Sequence, residues 1–287
     1  MNKKAGMMKN DSLMVKPQYV YKFKRIMTDE DYERVEEIMC HRKMYMPSPF
    51  ELNDPMEGDS VNINLNILGM GYAGSAGKIH PRITGIKNEY RIMSLSAIPS
   101  SSIMWAHYGC EYRGCCFIFS TEETFQQIKP IIYSDLHFNM YENDIKDIAE
   151  KNNMDSSDVL YHVIEESFLY KNKEWSYENE WRLIQRNNKS FLKLKKDEIV
   201  GIIIGKNMEE KYKNRIIKKC NKLNLPCFTT YTMEKIGQII FLPDDMSKNF
   251  YPLKEIIESI YKRNDVNSVL FHELNEHIFS SIYMERN

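Results

Sequence analysis

Along this chain, apolar positions alternate with a period of two over many short stretches and with a helical period over fewer, longer ones. Strand character falls on YVYKF (19–23), KMYM (43–46), VNINLNIL (61–68), RIMSLSA (91–97), CCFIF (115–119) and IIYS (131–134). It returns at EWRLIQ (180–185), EIVGIIIG (198–205), PCFTTYT (226–232) and GQIIF (237–241). TDEDYERVEEIMC (28–40) predicts a helix: Thr28 is placed to cap it, acids fill the first turn, and Tyr32, Val35, Ile38 and Met39 share a face. Further helices are expected within 100–114, at 143–152, at 156–171, and at the Lys-rich 208–222, with two more in 252–285.

Strands outnumber strict β-α-β alternations, so the expected class is α+β, with mixed or antiparallel sheets and flanking helices. The expected organisation is a flexible N-terminus (1–18), one α+β domain (19–242) and a helical extension (243–287). GMGYAGSAGK (69–78) has Gly69, Gly71 and Gly74 in G-x-G-x-x-G spacing, a dinucleotide fingerprint only where a helix follows at once. Ile79, His80, Pro81 and Gly85 make a poor helix start, so a flexible loop is expected instead.

Composition narrows the function classes. With 43% apolar residues and 12% aromatics the chain can bury a core, which argues against wholesale disorder. A formal net charge of -1 excludes a globally basic nucleic-acid binder but leaves room for a local basic groove. The six cysteines follow no zinc spacing and read as reduced thiols of a cytoplasmic protein. MNKKAGMMKNDS has no apolar core of a signal peptide, and no apolar run approaches the roughly 18 residues that span a bilayer, so no membrane partner is expected.

Four polar clusters are candidates for chemistry, and each also has a purely structural reading. NDPME holds Asn53, Asp54 and Glu57 in an Asx-Pro turn. MSLSA puts Ser94 and Ser96 on one face of a strand, which is also what a solvent or sheet-edge face looks like. MWAHYGCEYRGC gathers Trp105, His107, Tyr108 and Arg113, and His107 with Cys110 is too small a set to hold a metal. KEWSYENEWRLI places Glu178, Glu180 and Arg182 on one face as a strand begins, with Lys171 upstream. Two carboxylates this close repel unless a cation or substrate separates them.

In order, YKF, F-x-x-NDP-x-E (Phe50 to Glu57), SLS, MWAHY, RG before an apolar strand, and K-x-x-x-W-x-x-E-x-E-x-R (Lys171 to Arg182) resemble bacterial domain of unknown function 2971 over roughly residues 19–205. That family is sometimes found near defence genes and carries no established activity, so it implies little chemistry. The order of a basic residue, a Ser-x-Ser strand and a Glu-x-Glu also resembles mono-ADP-ribosyltransferases of the Arg–Ser–Glu type. By that resemblance Lys22 or Arg25 would hold the NAD pyrophosphate, Ser94 and Ser96 would support the nicotinamide pocket, Glu180 would bond the ribose, and Glu178 would guide the acceptor. Trp105 or Tyr108 would stack on a ring of NAD. Asn53, Asp54, His107 and Arg182 complete the expected NAD-binding set, although WAHY and NDP-x-E have no counterpart in the transferase pattern. The acceptor is left open between protein, nucleic acid and water. The rival readings are a metal-dependent phosphodiesterase or nuclease, with Asp54, Glu57, Glu178 and Glu180 round magnesium and Lys171 at the phosphate, and a non-enzymatic sensor or partner module in a toxin or defence system.

Overall fold

The computed structural model describes residues 15–54, 61–64, 81–135, 138–233 and 238–244. The Gly69–Gly74 run, Glu57 and the expected C-terminal helices within 252–285 lie outside these residues. In chain order come β1 (Tyr19–Lys24), α1 (Asp29–His41), β2 (Lys43–Tyr45), a 3-10 turn (Pro49–Glu51), β3 (Val61–Asn64), α2 (Pro81–Asn88), β4 (Tyr90–Ser96), α3 (Ser102–His107) and β5 (Cys115–Ser120). There follow β6 (Lys129–Pro130), β7 (Ile132–Tyr133), β8 (Phe138–Tyr141), α4 (Glu142–Asn152), α5 (Ser156–Ser167), β9 (Tyr170–Lys171) and a second 3-10 turn (Lys173–Glu178). The described chain closes with β10 (Glu180–Arg186), β11 (Phe191–Lys193), β12 (Ile199–Ile204), α6 (Glu210–Leu223), β13 (Cys227–Met233) and β14 (Gln238–Pro243).

The expected α+β class holds. One mixed sheet of eight strands runs β14-β13-β12-β5-β1-β4-β10-β6, antiparallel except where α6 carries the chain from β12 to a parallel β13. Three two-stranded pairs, β11 with β2, β3 with β8 and β7 with β9, flank it. Among the described residues no helix is long and apolar enough to cross a membrane.

Period-two alternation sends one set of side chains to each face. Val20, Met93, Leu95, Phe117, Trp181, Leu183 and Ile202 pack on one side against Tyr32, Val35 and Ile38 of α1 and Tyr212 and Ile216 of α6. The opposite face carries two separate apolar clusters. One joins Tyr21, Phe23, Cys116 and Ile118 to Met104 and Trp105 of α3, and the other joins Tyr90 and Ile92 to residues of α2, α4 and α5. Between those two clusters the face turns polar, at Ser94, Ser96, Glu180 and Arg182.

Two expectations need correcting. Residues 81–88 are helical although Pro81 and Gly85 argued against it. Proline suits a first helical position because its missing N–H would find no intrahelical partner there. The helix expected over 156–171 stops at Ser167, and Tyr170–Lys171 pairs in parallel with β7 instead.

The segment between α3 and β5 sets the approach of several strands. Cys110, Glu111 and Tyr112 all have positive φ (49°, 55° and 66°), a left-handed turn that costs non-glycine residues energy. Stacking of Tyr112 on Trp105, with centroids 5.6 Å apart, and bonds from Asn207 to the carbonyls of Glu111 and Tyr112 hold it. Gly114 closes the turn against β1, where an added Cβ would stand 2.1 Å from the Lys24 carbonyl oxygen. Gly114→Ala should therefore lose about 2 kcal/mol of stability or more. Gly85→Ala, in α2 with nothing within 4 Å of the new methyl, should gain about 0.5–1 kcal/mol. Urea denaturation of the two variants checks both signs.

Candidate active site

The site begins with a local turn. Asn179 stands in the left-handed region at φ 45°, ψ 51°, which asparagine tolerates better than most side chains. The chain thus swings sharply between Glu178, last residue of the 3-10 turn, and Glu180, first residue of β10. Both carboxylates meet the ammonium of Lys171, with Nζ 2.6 Å from Glu178 Oε2 and 3.2 Å from Glu180 Oε2. Arg182 grips Glu180 with two nitrogens, Nε to Oε1 at 2.6 Å and Nη2 to Oε2 at 3.0 Å, and donates through Nη1 to the Phe168 carbonyl at 2.6 Å. All four charged groups are buried. Of the two glutamates, it is Glu180 and not Glu178 that forms the ion pair with Arg182 among the described contacts.

Neighbouring strands complete the shell. Register aligns Tyr21, Ser96 and Glu180 across β1, β4 and β10, and Arg182 opposite Ser94, so their side chains share a face. Ser94 hydrogen-bonds the Glu180 carboxylate. The Ser96 hydroxyl instead ties backbone, donating to the Glu178 carbonyl at 2.7 Å and accepting from the Ile98 N–H at 3.1 Å. Tyr108, at the end of α3, donates to Glu178 Oε1 at 2.5 Å and is itself hydrogen-bonded to Asn53. The Tyr133 hydroxyl accepts from the Glu180 N–H at 2.8 Å.

A cleft of about 260 Å³ opens here, between strands that are neighbours in one sheet. β1 and β4 are in register only at Tyr21↔Ser96, and the cleft is lined by Tyr21–Lys24 on one side and Ser94–Ser96 on the other. Lys22 starts from the opposite face of β1 but reaches across, its Nζ 2.8 Å from the Ser94 carbonyl oxygen. Glu51, Asn53, Tyr108, Lys171, Glu178 and Glu180 form the rest of the wall that carries chemistry.

Electrostatics separates the groups. Burial alone would raise Glu180, but Arg182 and Lys171 outweigh it and hold the carboxyl down at about 2. For Glu178, burial prevails over the pull of Lys171, so its carboxyl is raised above the usual range. Burial, with repulsion from Lys24, lowers Lys22 to about 7, and Lys24 is itself lowered by burial. Hydrogen-bonding capacity divides the carboxylates further. The four lone-pair sites of Glu180 face Arg182 twice, Lys171 and Ser94, whereas Glu178 meets Tyr108 and Lys171 only in the bonds described. Glu178 is the carboxylate with room for a substrate.

Of the residues expected from sequence, Lys22, Asn53, Ser94, Ser96, Tyr108, Glu178 and Glu180 line this one cleft, with Arg182 behind Glu180. Arg25 is exposed and pairs with Asp31 at the start of α1. Trp105 is fully buried: its indole N–H donates to the Pro99 carbonyl at 2.7 Å and Phe23 meets its ring edge-on, so it presents no face for stacking. His107 points away, with Nδ1 3.4 Å from the Tyr177 hydroxyl, and buried Asp54 follows Asn53 without lining the cleft. Lys24 and Tyr133 were not singled out by sequence. Period two from Lys22 pointed to Lys24, while nothing local pointed to Tyr133. Among the described residues no group of three or more His, Cys, Asp or Glu side chains gathers as metal ligands.

Two outcomes are expected. Asn179→Gly should keep the fold while Asn179→Val costs about 1–2 kcal/mol, because only the β-branched chain resists φ 45°. For Lys22, the unfolded chain holds its proton up to the ordinary 10.5 and the folded chain only below about 7. Between those values the unfolded state binds the extra proton, so folding stability rises with pH there. Lys22→Met should flatten that rise in urea midpoints measured from pH 6.5 to 10.

No curated protein and no solved structure matches the chain. Residues 104–183 match the family model described as Protein of unknown function (DUF2971). The match leaves out Lys22 and the NDP-x-E turn but takes in most of α3, all of β5 and the Lys171–Arg182 segment that carries both carboxylates, and over those residues the chain is similar to that family of unknown function.

Proposed function

We propose that the cleft cleaves a glycosidic bond in an anionic nucleotide, with the nicotinamide–ribose bond of NAD as the candidate, and passes the ADP-ribosyl group to an acceptor or to water. The observation that carries this reading is the division of labour between two carboxylates bridged by one lysine. Groups whose environments push their pKa values apart take different roles in acid-base chemistry. Glu180 is a permanent, saturated anion that keeps Lys171 and Arg182 in place. Glu178 is raised, has unfilled acceptor sites and faces the cleft.

Breaking the C–N bond sends its electron pair to the nicotinamide nitrogen, which becomes neutral, and leaves positive charge on the ribose. A carboxylate against that sugar stabilises the transition state more than the ground state. The acceptor O–H or N–H then bonds to the ribose carbon, and its proton passes to the ionised Glu178. Lys22 and Lys24 suit the substrate's phosphates, because Lys171 and Arg182 already balance Glu178 and Glu180 and the two lysines of β1 then face Glu51 as the remaining carboxylate of the lining. An approaching phosphate favours the protonated form of Lys22. A volume of about 260 Å³ falls below the roughly 300–1,000 Å³ that encloses a whole drug-sized ligand, so it suits the reacting end of a dinucleotide. A magnesium-dependent reading gains less support, since Glu178 and Glu180 are directed at an ammonium and a guanidinium.

Nicotinamide release from NAD is the test. Glu178→Gln should lower turnover about 10²-fold or more with the melting temperature little changed. Glu180→Gln should instead destabilise the protein by about 3 kcal/mol or more, because it leaves Arg182 and Lys171 buried without their shared anion. No NAD consumption by the wild-type protein, or equal turnover in Glu178→Gln, would overturn the reading.

A further inference from the structure

A second surface lies just outside the cleft, on the small sheet formed by β2 and β11. Its two strands have the same pattern, exposed–buried–exposed, with Met44 and Leu192 facing the core. Register places Phe191 opposite Tyr45 and Lys193 opposite Lys43, so two aromatic rings and two ammonium groups share one outward face. Phe191 is 53% exposed and Tyr45 44%, and their rings meet edge-on with centroids 5.6 Å apart. Phe50, 49% exposed, follows close behind in the turn to which Tyr45 is tied. Three of the four exposed Phe and Tyr side chains among the described residues therefore belong to this corner.

Burial usually claims such rings, so their concentration on one face calls for a partner. The charge around them selects its chemistry. Lys43 and Lys193 lie on the face, and exposed Lys189 stands two residues before β11, against Glu37 and Glu51 as the nearby acids. Lys43 lies 4.2 Å from the centroid of the Phe191 ring, where a planar base would displace it and leave its ammonium for a phosphate. A polar sugar or a neutral peptide would make no use of the lysines, whereas stacked bases joined by phosphodiesters use both components. We infer that the outward face of Lys43, Tyr45, Phe191 and Lys193 binds single-stranded nucleic acid. It adjoins the cleft, because the Tyr45 hydroxyl donates at 2.5 Å to Glu51, and Glu51 lines the cleft wall. Only the further step, that the bound strand is the acceptor, rests on the reaction proposed above.

Fluorescence anisotropy with labelled oligothymidylate and oligouridylate of about 16 nucleotides, without NAD, tests the binding by itself. Saturable binding that weakens with salt is expected, with Phe191→Ala about tenfold weaker. Lys193→Gln should lower the salt slope by about one. Both positions are exposed, and an unchanged circular dichroism spectrum shows that the fold is kept. Glu178→Gln should bind as the wild type does, which separates this inference from the proposed chemistry. Absence of saturable binding at about 50 mM salt, equal affinity for a duplex or for polyglutamate, or indifference to both Phe191→Ala and Lys193→Gln would overturn it.

Discussion

One buried ammonium holds the site together. Lys171 lies between Glu178 and Glu180, and without it two carboxylates would face each other in a region of low dielectric. Burying four charges is expensive, and it is sustained here because each has a partner of opposite sign and further hydrogen bonds from Tyr108, Ser94 and the Phe168 carbonyl. Among the described residues no buried side-chain nitrogen or oxygen lacks a partner. The surrounding elements converge on this cluster. β4 supplies Ser94, α3 supplies Tyr108, β9 supplies Lys171 and β10 supplies Glu180 and Arg182.

The cluster lies where the sheet parts. β1 and β4 share a single register pair, while β1 and β5 stay in register along six. A fully zipped sheet would have filled the space now open as the cleft. The left-handed turn after α3 and the close contact of Gly114 with Lys24 fix the far end of β1 against β5. The lysines of β1 are then left facing a cleft in which Glu178 and Glu180 are already compensated by Lys171 and Arg182.

Much of the fold was legible in the chain. The strands at 91–97 and 180–185 emerged from alternation, because one face of each is apolar, with Met93, Leu95, Trp181 and Leu183, while the other carries Ser94, Ser96, Glu180 and Arg182. Helix 28–40 was marked by its own cap, which the structure shows in the Asp31 N–H to Thr28 hydroxyl bond at 3.2 Å. Less legible were the short pieces. β9 reads as the end of a helix from its residues alone, and only its pairing with β7 makes it a strand. Proline at 81 was misread for the same reason: its effect depends on whether it stands at the start of a helix or inside one.

For the site, sequence brought together the right types of residue and could not rank them. Glu178 and Glu180 look alike in ENE, and nothing local says that Arg182 takes one and Tyr108 the other. Trp105 and His107 stood beside Tyr108 in WAHY as equal candidates, yet a short helix turns only Tyr108 to the cleft and buries the tryptophan. The chain by itself determined secondary structure where a periodic apolar face demanded it, and it determined which polar residues were unusual. Strand order, the parting of β1 from β4 and the pairing of charges were decided only in three dimensions. Strand order and the parting depend on pairings between distant stretches, such as Tyr21 with Ser96 and Tyr19 with Ser120, whose energies no local pattern encodes. Lys171, Glu178, Glu180 and Arg182 are near in sequence, but Tyr108, 70 positions from Glu178, is brought to them only by the fold.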